Sequence, residues 1–281
     1  MEHRTHTRSV SKAEVRAYTA GFDVNALAEG AKALGIPLTE EQLQAFTRYY
    51  GLLRAWNERI NLTSIVEPEA VIRKHFLDAL APLPVLAEEV ARVDEESGRF
   101  PAVEPMPHLL SQKWRAIDVG AGAGIPGLPV KIVWTALRLT LLDATLKKVR
   151  FMNEVIRWLG LRQTVAIQGR AETFGRDPAF REQFDVVMAR GLAPMNTLAE
   201  YTLPFARLNG WVLLYKGPRG PQELADAFGA IDTLGGYVER VAPLHIPGLD
   251  ERRFAILIRK VRRTPQPFPR ERGLPRRRPL Q

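Results

Sequence analysis

The stretch RAIDVGAGAGIPG, residues 115–127, decides the fold class, because a short apolar run leads directly into a turn that holds four glycines. Such a run is typical of a buried strand, and glycines let the backbone turn tightly and approach a ligand that a Cβ would displace. Pro126 suits the first turn of a following helix, where its missing N–H costs nothing. The stretch therefore predicts a strand, a ligand-binding turn and a helix.

Seven β-type runs, several of them separated by helical patterns, make up the chain from this stretch onward. They are predicted at residues 116–119, 139–142, 164–167, 185–189, 211–215, 237–241 and 254–258. Apolar residues at helical spacing predict a helix over 146–159. The alternation predicts a parallel α/β sheet, and because no clear helix precedes the last run, we expect the last two strands to pair antiparallel.

Composition divides the chain into five parts. Residues 1–24 lack an apolar period and are predicted to be a poorly ordered extension. Residues 25–87 are predicted to form helices packed on the core, one with a Thr39–Gln42 capping box and one beginning near Pro68. The acidic and then proline-rich stretch 88–112 is predicted to be a variable loop, and 113–260 the sheet domain. Residues 261–281 are predicted to form a basic, proline-rich arm.

The positive charge is concentrated in that arm. The formal net charge is +9, and residues 259–281 hold nine Lys or Arg against one acid, Glu271, which accounts for +8 of it. A segment of this composition cannot build its own core, and its phosphate contacts release counterions. We expect the arm to bind RNA, and its removal from residue 262 to weaken RNA binding while leaving cofactor affinity intact.

The residues that the chain lacks exclude several kinds of chemistry. It has no cysteine, so disulfides, thiolate metal sites and cysteine nucleophiles are excluded. No two of the five histidines are spaced i, i+4, and we predict no metal site. The sequence shows neither a secretory signal nor an apolar run long enough to span a membrane, which predicts a cytoplasmic protein.

The glycine turn fits two kinds of adenosine cofactor. Residues 122–127 match the dinucleotide fingerprint G-x-G-x-x-G, and Asp143 follows at the distance expected of a carboxylate that binds a ribose. We expect Asp118, at the strand end, to face the ligand, where it would repel a pyrophosphate and attract the cationic S-adenosylmethionine. Asp143 suits both cofactors, so the choice depends on Asp118.

Several further motifs stand beside this turn. They are WNERINLT at 56–63, RKHFLDAL at 73–80, LD at 142–143, KKVRF at 147–151, DVVMAR at 185–190, KG at 216–217 and FPRERGLPRRRPL at 268–280. Together with the turn, they make residues 25–281 resemble the bacterial small-subunit ribosomal RNA guanine-N7 methyltransferases of the glucose-inhibited division protein B type. The resemblance implies a Rossmann-like methyltransferase sheet preceded by N-terminal helices, with S-adenosylmethionine as cofactor and small-subunit ribosomal RNA, free or in the assembled subunit, as partner.

The resemblance also assigns the site. It implies that 143–145 hold the ribose side of the cofactor, that 171–172 meet the adenine, and that Arg190 stands at the end of the fourth strand as the catalytic candidate. The candidate cofactor-binding residues are Asp118, Gly120, Gly122, Gly124, Ile125, Asp143, Ala144, Thr145, Ala171, Glu172 and Arg190. For His75 and Asp78, three residues apart on one helix face, we favour a pair that packs the helices against the sheet over a catalytic role.

Methylation of guanine N7 needs little from the protein besides orientation. N7 offers an exposed acceptor lone pair and loses no proton, so no strong general base is required. The sequence also lacks the Asn- or Asp-Pro-Pro-aromatic turn usual in exocyclic-amine methyltransferases, since it reads ARGLAP at 189–194. Two alternatives stay open: a nicotinamide-dependent oxidoreductase, and a cofactor-binding RNA or ribosome assembly factor without catalytic activity.

Overall fold

The computed structural model describes residues 10–98 and 104–281, and its centre is one sheet of seven strands. All seven predicted strands are present, each extended at one or both ends. The strands are β1 Arg115–Val119, β2 Arg138–Asp143, β3 Thr164–Gln168, β4 Phe184–Arg190, β5 Ala206–Lys216, β6 Gly236–Ile246 and β7 Leu249–Lys260.

Helices precede the sheet and connect most of its strands. Before β1 lie α1 Lys12–Ala17, α2 Val24–Ala33, α3 Glu40–Asn57, α4 Pro68–Val71, α5 Asp78–Leu80, α6 Leu83–Glu96 and α7 Pro105–Ser111, with a π-helical segment, Ile72–Leu77, joining α4 to α5. After β1 lie α8 Gly127–Val133, α9 Leu146–Leu159, α10 Ala171–Phe174, α11 Met195–Thr202, α12 Gly220–Ala225, α13 Phe228–Thr233 and α14 Leu274–Arg277. The predicted capping box of α3 is present, with Thr39 and Gln42 each accepting the other's backbone N–H.

The strand order is β3-β2-β1-β4-β5-β7-β6. Strands β1 to β5 are parallel, while β7 runs antiparallel to both β5 and β6, which confirms the prediction for the last two strands. The strand order reverses between β1 and β4, and ligands of such sheets bind outside the carboxyl ends of the strands at this point. The Rossmann-like α/β sheet preceded by helices is confirmed, and the glycine turn lies at its switch point.

Side chains on the two faces of the sheet pack into two separate hydrophobic cores. In β1, Ala116 packs with the N-terminal helices, α8 and α9, while Ile117 and Val119 pack with α11 and α13 on the other face. Rings of α3, among them Phe46 and Tyr49, are buried on the first face. The N-terminal helices therefore share a core with the sheet, and this core fixes their position against its carboxyl edge.

The prediction of a poorly ordered extension over 1–24 is wrong for the residues that the structure describes. Ser11 caps α1, Val10 and Val15 are buried, and the backbone N–H of Val10 donates to Glu154 Oε1 over 3.0 Å. These contacts, with the ion pair between Glu14 and Arg59, dock this short helix on the rest of the domain. Residues 1–9 lie outside the described part of the chain.

The predicted loop at 88–112 is also wrong over most of its length. Helix α6 continues through Glu96, and α7 begins one residue after Glu104. Leu86 and Val90 bury one face of α6, while Glu88, Glu95 and Glu96 are exposed, so the acidic run belongs to an amphipathic helix and does not mark a loop. Pro105 stands in the first turn of α7, where proline is tolerated. Residues 99–103 lie outside the described ranges.

The basic arm is docked on the domain. Thr264 and Pro275 are buried, and Arg181 donates to the carbonyls of Thr264 and Phe268, each over 2.6 Å. A chain of this composition cannot build its own core, but it can add to another, because its carbonyls accept from arginines of the domain. We call residues 261–281 the C-terminal segment.

Candidate cofactor and active site

Three glycines give the turn after β1 its shape. Gly120, Gly122 and Gly124 have φ of +75°, +61° and +81°, which side chains rarely adopt. A Cβ on Gly120 would lie 2.7 Å from Leu192 Cδ1, and a Cβ on Gly124 would lie 2.3 Å from Leu128 Cδ1. A Cβ on Gly122 would meet only the Gly120 carbonyl, at 3.8 Å, so this glycine faces open space.

Two carboxylates hold the turn through backbone N–H groups. Asp143, at the end of β2, accepts from Gly122 N over 2.9 Å and from Thr145 N over 2.8 Å. Asp118, near the end of β1, accepts from Gly127 N over 2.8 Å and so caps the start of α8. The two acids fix both ends of the glycine turn against the sheet.

The expectation that Asp118 faces the ligand is wrong. Its side chain is fully buried beneath the turn, and it lines neither of the two cavities described below. Burial raises its pKa to about 7, and the Gly127 hydrogen bond and the charge of Arg190 offset this only in part. Its Oδ1 atom has no hydrogen-bond partner among residues 10–98 and 104–281. The carboxylate shapes the turn from beneath and is open to neither cavity.

A cavity of about 330 Å³ lies beyond the ends of β1 and β2. Six predicted site residues line it: Gly120, Asp143, Ala144, Thr145, Ala171 and Glu172. Arg170 lies on the same wall, and Gly273 and Arg276 of the C-terminal segment line the cavity as well. Sequence reasoning missed these three, since only the docking of the C-terminal segment brings the last two there.

A second cavity, of about 510 Å³, lies between the end of β4 and the N-terminal helices. Gly120, Gly122, Ile125 and Arg190 line it, as predicted, but so do Thr63, His75, Asp78, Tyr215 and Arg253. Gly120 and Lys148 line both cavities, which therefore meet at the glycine turn. Gly124, like Asp118, lines neither of them.

Arg190 is held by the π-helical segment and its neighbours. Its Nη1 donates to Asp78 Oδ2 over 2.5 Å and to the Lys74 carbonyl over 2.8 Å, and its Nη2 lies 3.1 Å from His75 Nδ1. Arg253 Nε lies 3.4 Å from the other oxygen of Asp78. His75 and Asp78 thus join the helices to the sheet, as expected, but they do so inside the cavity.

His75 is neutral at neutral pH. Burial lowers its pKa to about 4, and the neighbouring Arg190 charge contributes to this lowering. Its Nε2 lies 3.0 Å from Thr63 Oγ1. The buried network therefore contains two guanidinium groups and one carboxylate, and the imidazole adds no further charge. π-Helical segments occur often at functional sites, but no sequence pattern marked this one.

The structure shows neither a metal cluster nor a membrane-spanning helix where it describes the chain. No group of three or more His, Cys, Asp or Glu residues could hold a metal ion within the described ranges. No described helix is both long and apolar enough to cross a bilayer.

The sequence matches one family model along most of its length. The model is that of rRNA small subunit methyltransferase G, and it matches residues 42–103 and 100–253. The chain is 38% identical to ribosomal RNA small subunit methyltransferase G of Desulforamulus reducens, over 90% of this chain and 97% of that protein. It is 43% identical to the protein of the same name from Moorella thermoacetica, over 91% and 97%.

The chain also aligns, more weakly, with a solved structure. TrmN from Thermus thermophilus aligns with a TM-score of 0.43 at 16% identity, over 68% of this chain and 53% of that one.

Proposed function

Because the chain belongs to the rRNA small subunit methyltransferase G family, we propose that it transfers a methyl group from S-adenosylmethionine to N7 of a guanosine in small-subunit ribosomal RNA. The observation that carries this proposal is the pair of cavities that meet at Gly120. One is lined by groups suited to an adenosine, and the other has room for a purine base.

The capped start of α8 argues against a dinucleotide cofactor. A dinucleotide places its pyrophosphate on the free N–H groups at the start of the helix that follows the glycine turn. Here the Gly127 N–H already donates to Asp118, and the Leu128 N–H donates to the Gly124 carbonyl. Asp118 therefore still disfavours a pyrophosphate, because it occupies the N–H group that a pyrophosphate would use.

The residues of the smaller cavity fit S-adenosylmethionine, whose sulfonium supplies an activated methyl group. Asp143 would hold the ribose hydroxyls, since each of its oxygens accepts one backbone N–H and keeps a lone pair free. Ala144 and Thr145 would line the ribose, and Ala171 and Glu172 the adenine. Gly122 and Ile125 would leave room for the methionine part at the entrance to the larger cavity.

Arg190 would orient the target base in the larger cavity. Its contacts with Lys74, Asp78 and His75 occupy only part of its five N–H donors. A remaining donor suits the O6 acceptor of guanine, which lies beside N7 on the same edge. N7 loses no proton, so most of the rate enhancement would come from alignment, and orientation of this kind can supply about 7 to 11 kcal/mol.

Ribosomal RNA as substrate places the enzyme in the cytoplasm, where either free RNA or the assembled subunit is available. The test supplies the purified protein with labelled S-adenosylmethionine and each of these two substrates, and then maps N7-methylguanosine. We expect Arg190→Lys to reduce kcat at least about tenfold, since lysine cannot keep the forked contacts of a guanidinium. Transfer of the label to another atom, or no transfer to either substrate, would refute the proposal.

Arg207→Lys is the matched control for this experiment. Arg207 also pairs with an aspartate, Asp185, but at the start of β4, the opposite end of the strand from Arg190. We expect the methyltransferase activity of Arg207→Lys to equal that of the unmodified chain. Equal losses in the two variants would show that Arg190 acts only through folding.

A further inference from the structure

The C-terminal segment is anchored by a buried ion pair. Arg270 Nη2 lies 2.6 Å from Oε2 of Glu200, which is completely buried, and the backbone N–H of Arg270 donates to Oε1 of the same side chain. Arg176 donates to the Pro269 carbonyl over 2.6 Å. A Cβ on Gly229 would lie 2.5 Å from the carbonyl oxygen of Gln281, so the segment packs on the domain as far as its last residue.

From this anchor the segment reaches the smaller cavity. The Gly273 N–H donates to Glu172 Oε1 over 2.9 Å, and Arg276 Nη2 donates to the Leu192 carbonyl over 2.7 Å. The Pro275 carbonyl accepts from Thr197 Oγ1 over 3.1 Å. The contact between Gly273 and Glu172 is important, because Glu172 is itself one of the residues assigned to the adenine.

The same contacts lead to the glycine turn. Leu192, whose carbonyl Arg276 binds, lies directly beside Gly120, the residue at which the two cavities meet. On the other side, Gly273 and Arg276 line the cavity together with Asp143. One short stretch of the C-terminal segment thus contacts an assigned adenine residue and supports the neighbour of the turn.

We propose that the C-terminal segment is part of the cofactor site, with Gly273 and Arg276 forming the wall against which the adenosine of S-adenosylmethionine binds. This inference rests on the proposed function. It replaces the expectation that removal of the segment leaves cofactor affinity intact. Arg272, Arg277 and Arg278 are exposed and line neither cavity, so they can meet RNA phosphate.

Calorimetry with S-adenosylmethionine tests this directly. We compare the full chain with a chain that ends at Arg272, which keeps the Arg270–Glu200 ion pair and lacks Gly273 and Arg276. We expect the shortened chain to bind the cofactor at least about tenfold more weakly, which corresponds to about 1.4 kcal/mol. Unchanged affinity in a shortened chain that still melts cooperatively would overturn the inference.

A matched pair of point variants covers the case in which the shortened chain fails to fold. Arg276→Ala removes a side chain that lines the smaller cavity. Arg278→Ala removes the same charge from an exposed side chain that does not line this cavity. We expect the first to weaken cofactor binding about threefold or more, the scale of one modest hydrogen bond, and the second to leave it unchanged. Equal affinities in the two variants would refute a role for Arg276.

Hydrogen exchange on the full chain needs no substitution. Addition of S-adenosylmethionine should slow exchange of backbone N–H groups over residues 272–277, and unchanged exchange there would count against the wall. The same measurement separates the two proposals. A full chain that binds no S-adenosylmethionine at all would overturn both the proposed function and this inference. A full chain that binds the cofactor with residues 272–277 unaffected overturns only this one.

Discussion

Replacing Asp118 by asparagine should change how the stability of the protein depends on pH. Burial raises the pKa of this carboxyl from its ordinary value of 3.8 to about 7. Between these two pH values the folded state holds the proton and the unfolded state does not. The stabilisation from the protonated carboxyl is therefore complete below about pH 4 and is lost as the pH rises to about 7.

The magnitude follows from the same two values. Each pH unit between them changes the free energy of unfolding by about 1.4 kcal/mol, so the full loss is about 4 kcal/mol at pH 7 and above. An asparagine at this position would have no charge at any pH, and its side-chain oxygen can still accept from Gly127 N. Its amide N–H₂ would lack an acceptor at the position of Oδ1, a cost of about 1 to 3 kcal/mol that does not vary with pH.

Urea denaturation of both proteins from pH 4 to pH 8 measures the effect. We expect Asp118→Asn to gain stability relative to the unmodified chain as the pH rises from 4 to about 7 and to gain no more above it. The other titrating groups, His75 among them, cancel in the difference. Glu14→Gln provides a control of opposite sign. The Ser11 backbone N–H lowers the pKa of Glu14 from its ordinary value of 4.5, so the unmodified chain loses this contribution only at the acid end of the range, as the pH falls below that value. A constant difference between Asp118→Asn and the unmodified chain would refute the argument.

Three further variants test the site and the segment. Gly120→Ala should lower stability by about 1 to 3 kcal/mol and also weaken cofactor binding, measured by melting and calorimetry, because the turn requires positive φ and a Cβ would meet Leu192; a variant as stable as the parent would contradict this. Asp78→Asn should lower kcat while cofactor affinity is kept, since it releases Arg190 in the larger cavity; loss of cofactor binding would contradict the assignment of the cavities. Joint replacement of the exposed Arg272, Arg277 and Arg278 by alanine should weaken RNA binding. The slope of log binding constant against log salt concentration should become shallower by about 2 to 3, at roughly 0.7 to 0.9 for each phosphate that the variant no longer binds. An unchanged slope would show that these arginines do not bind RNA phosphate.

The sheet could be predicted because its signals are local. Each strand is a short apolar run, and the helix over 146–159 has a clear apolar stripe, so both follow from neighbouring residues alone. The glycine turn could be predicted from the sequence for the same reason, since positive φ limits the choice of residue at Gly120, Gly122 and Gly124. The carboxyl edge of the sheet then brought together most of the predicted site.

The contacts that were missed join distant parts of the chain. Alternation along β1 puts Asp118 on the same face as Ala116, towards the N-terminal helices, but only the path of the turn shows that its carboxylate caps Gly127. Likewise, the link from Asp78 to Arg190 spans 112 positions. No local pattern reports such a pairing, although the helix face shared by His75 and Asp78 was a signal that could have been given more weight.

Composition misled where a segment depends on another for its core. The C-terminal segment is too polar and too rich in proline to fold alone, but Glu200 and Arg181 supply partners for its arginine and its carbonyls. In α6, acidic residues suggested a loop, whereas Leu86 and Val90, buried one helical turn apart, indicate a helix. For the C-terminal segment, the stabilising partners lie outside the segment that was being interpreted.

A structure of the protein with S-adenosylmethionine bound tests the central claim most directly. We predict that the ribose hydroxyls lie on Asp143, that the adenine lies between Ala171 and Arg276, and that the methyl group passes Gly120 and points into the cavity lined by Arg190. An adenosine bound in the larger cavity, with the smaller one empty, would contradict the account.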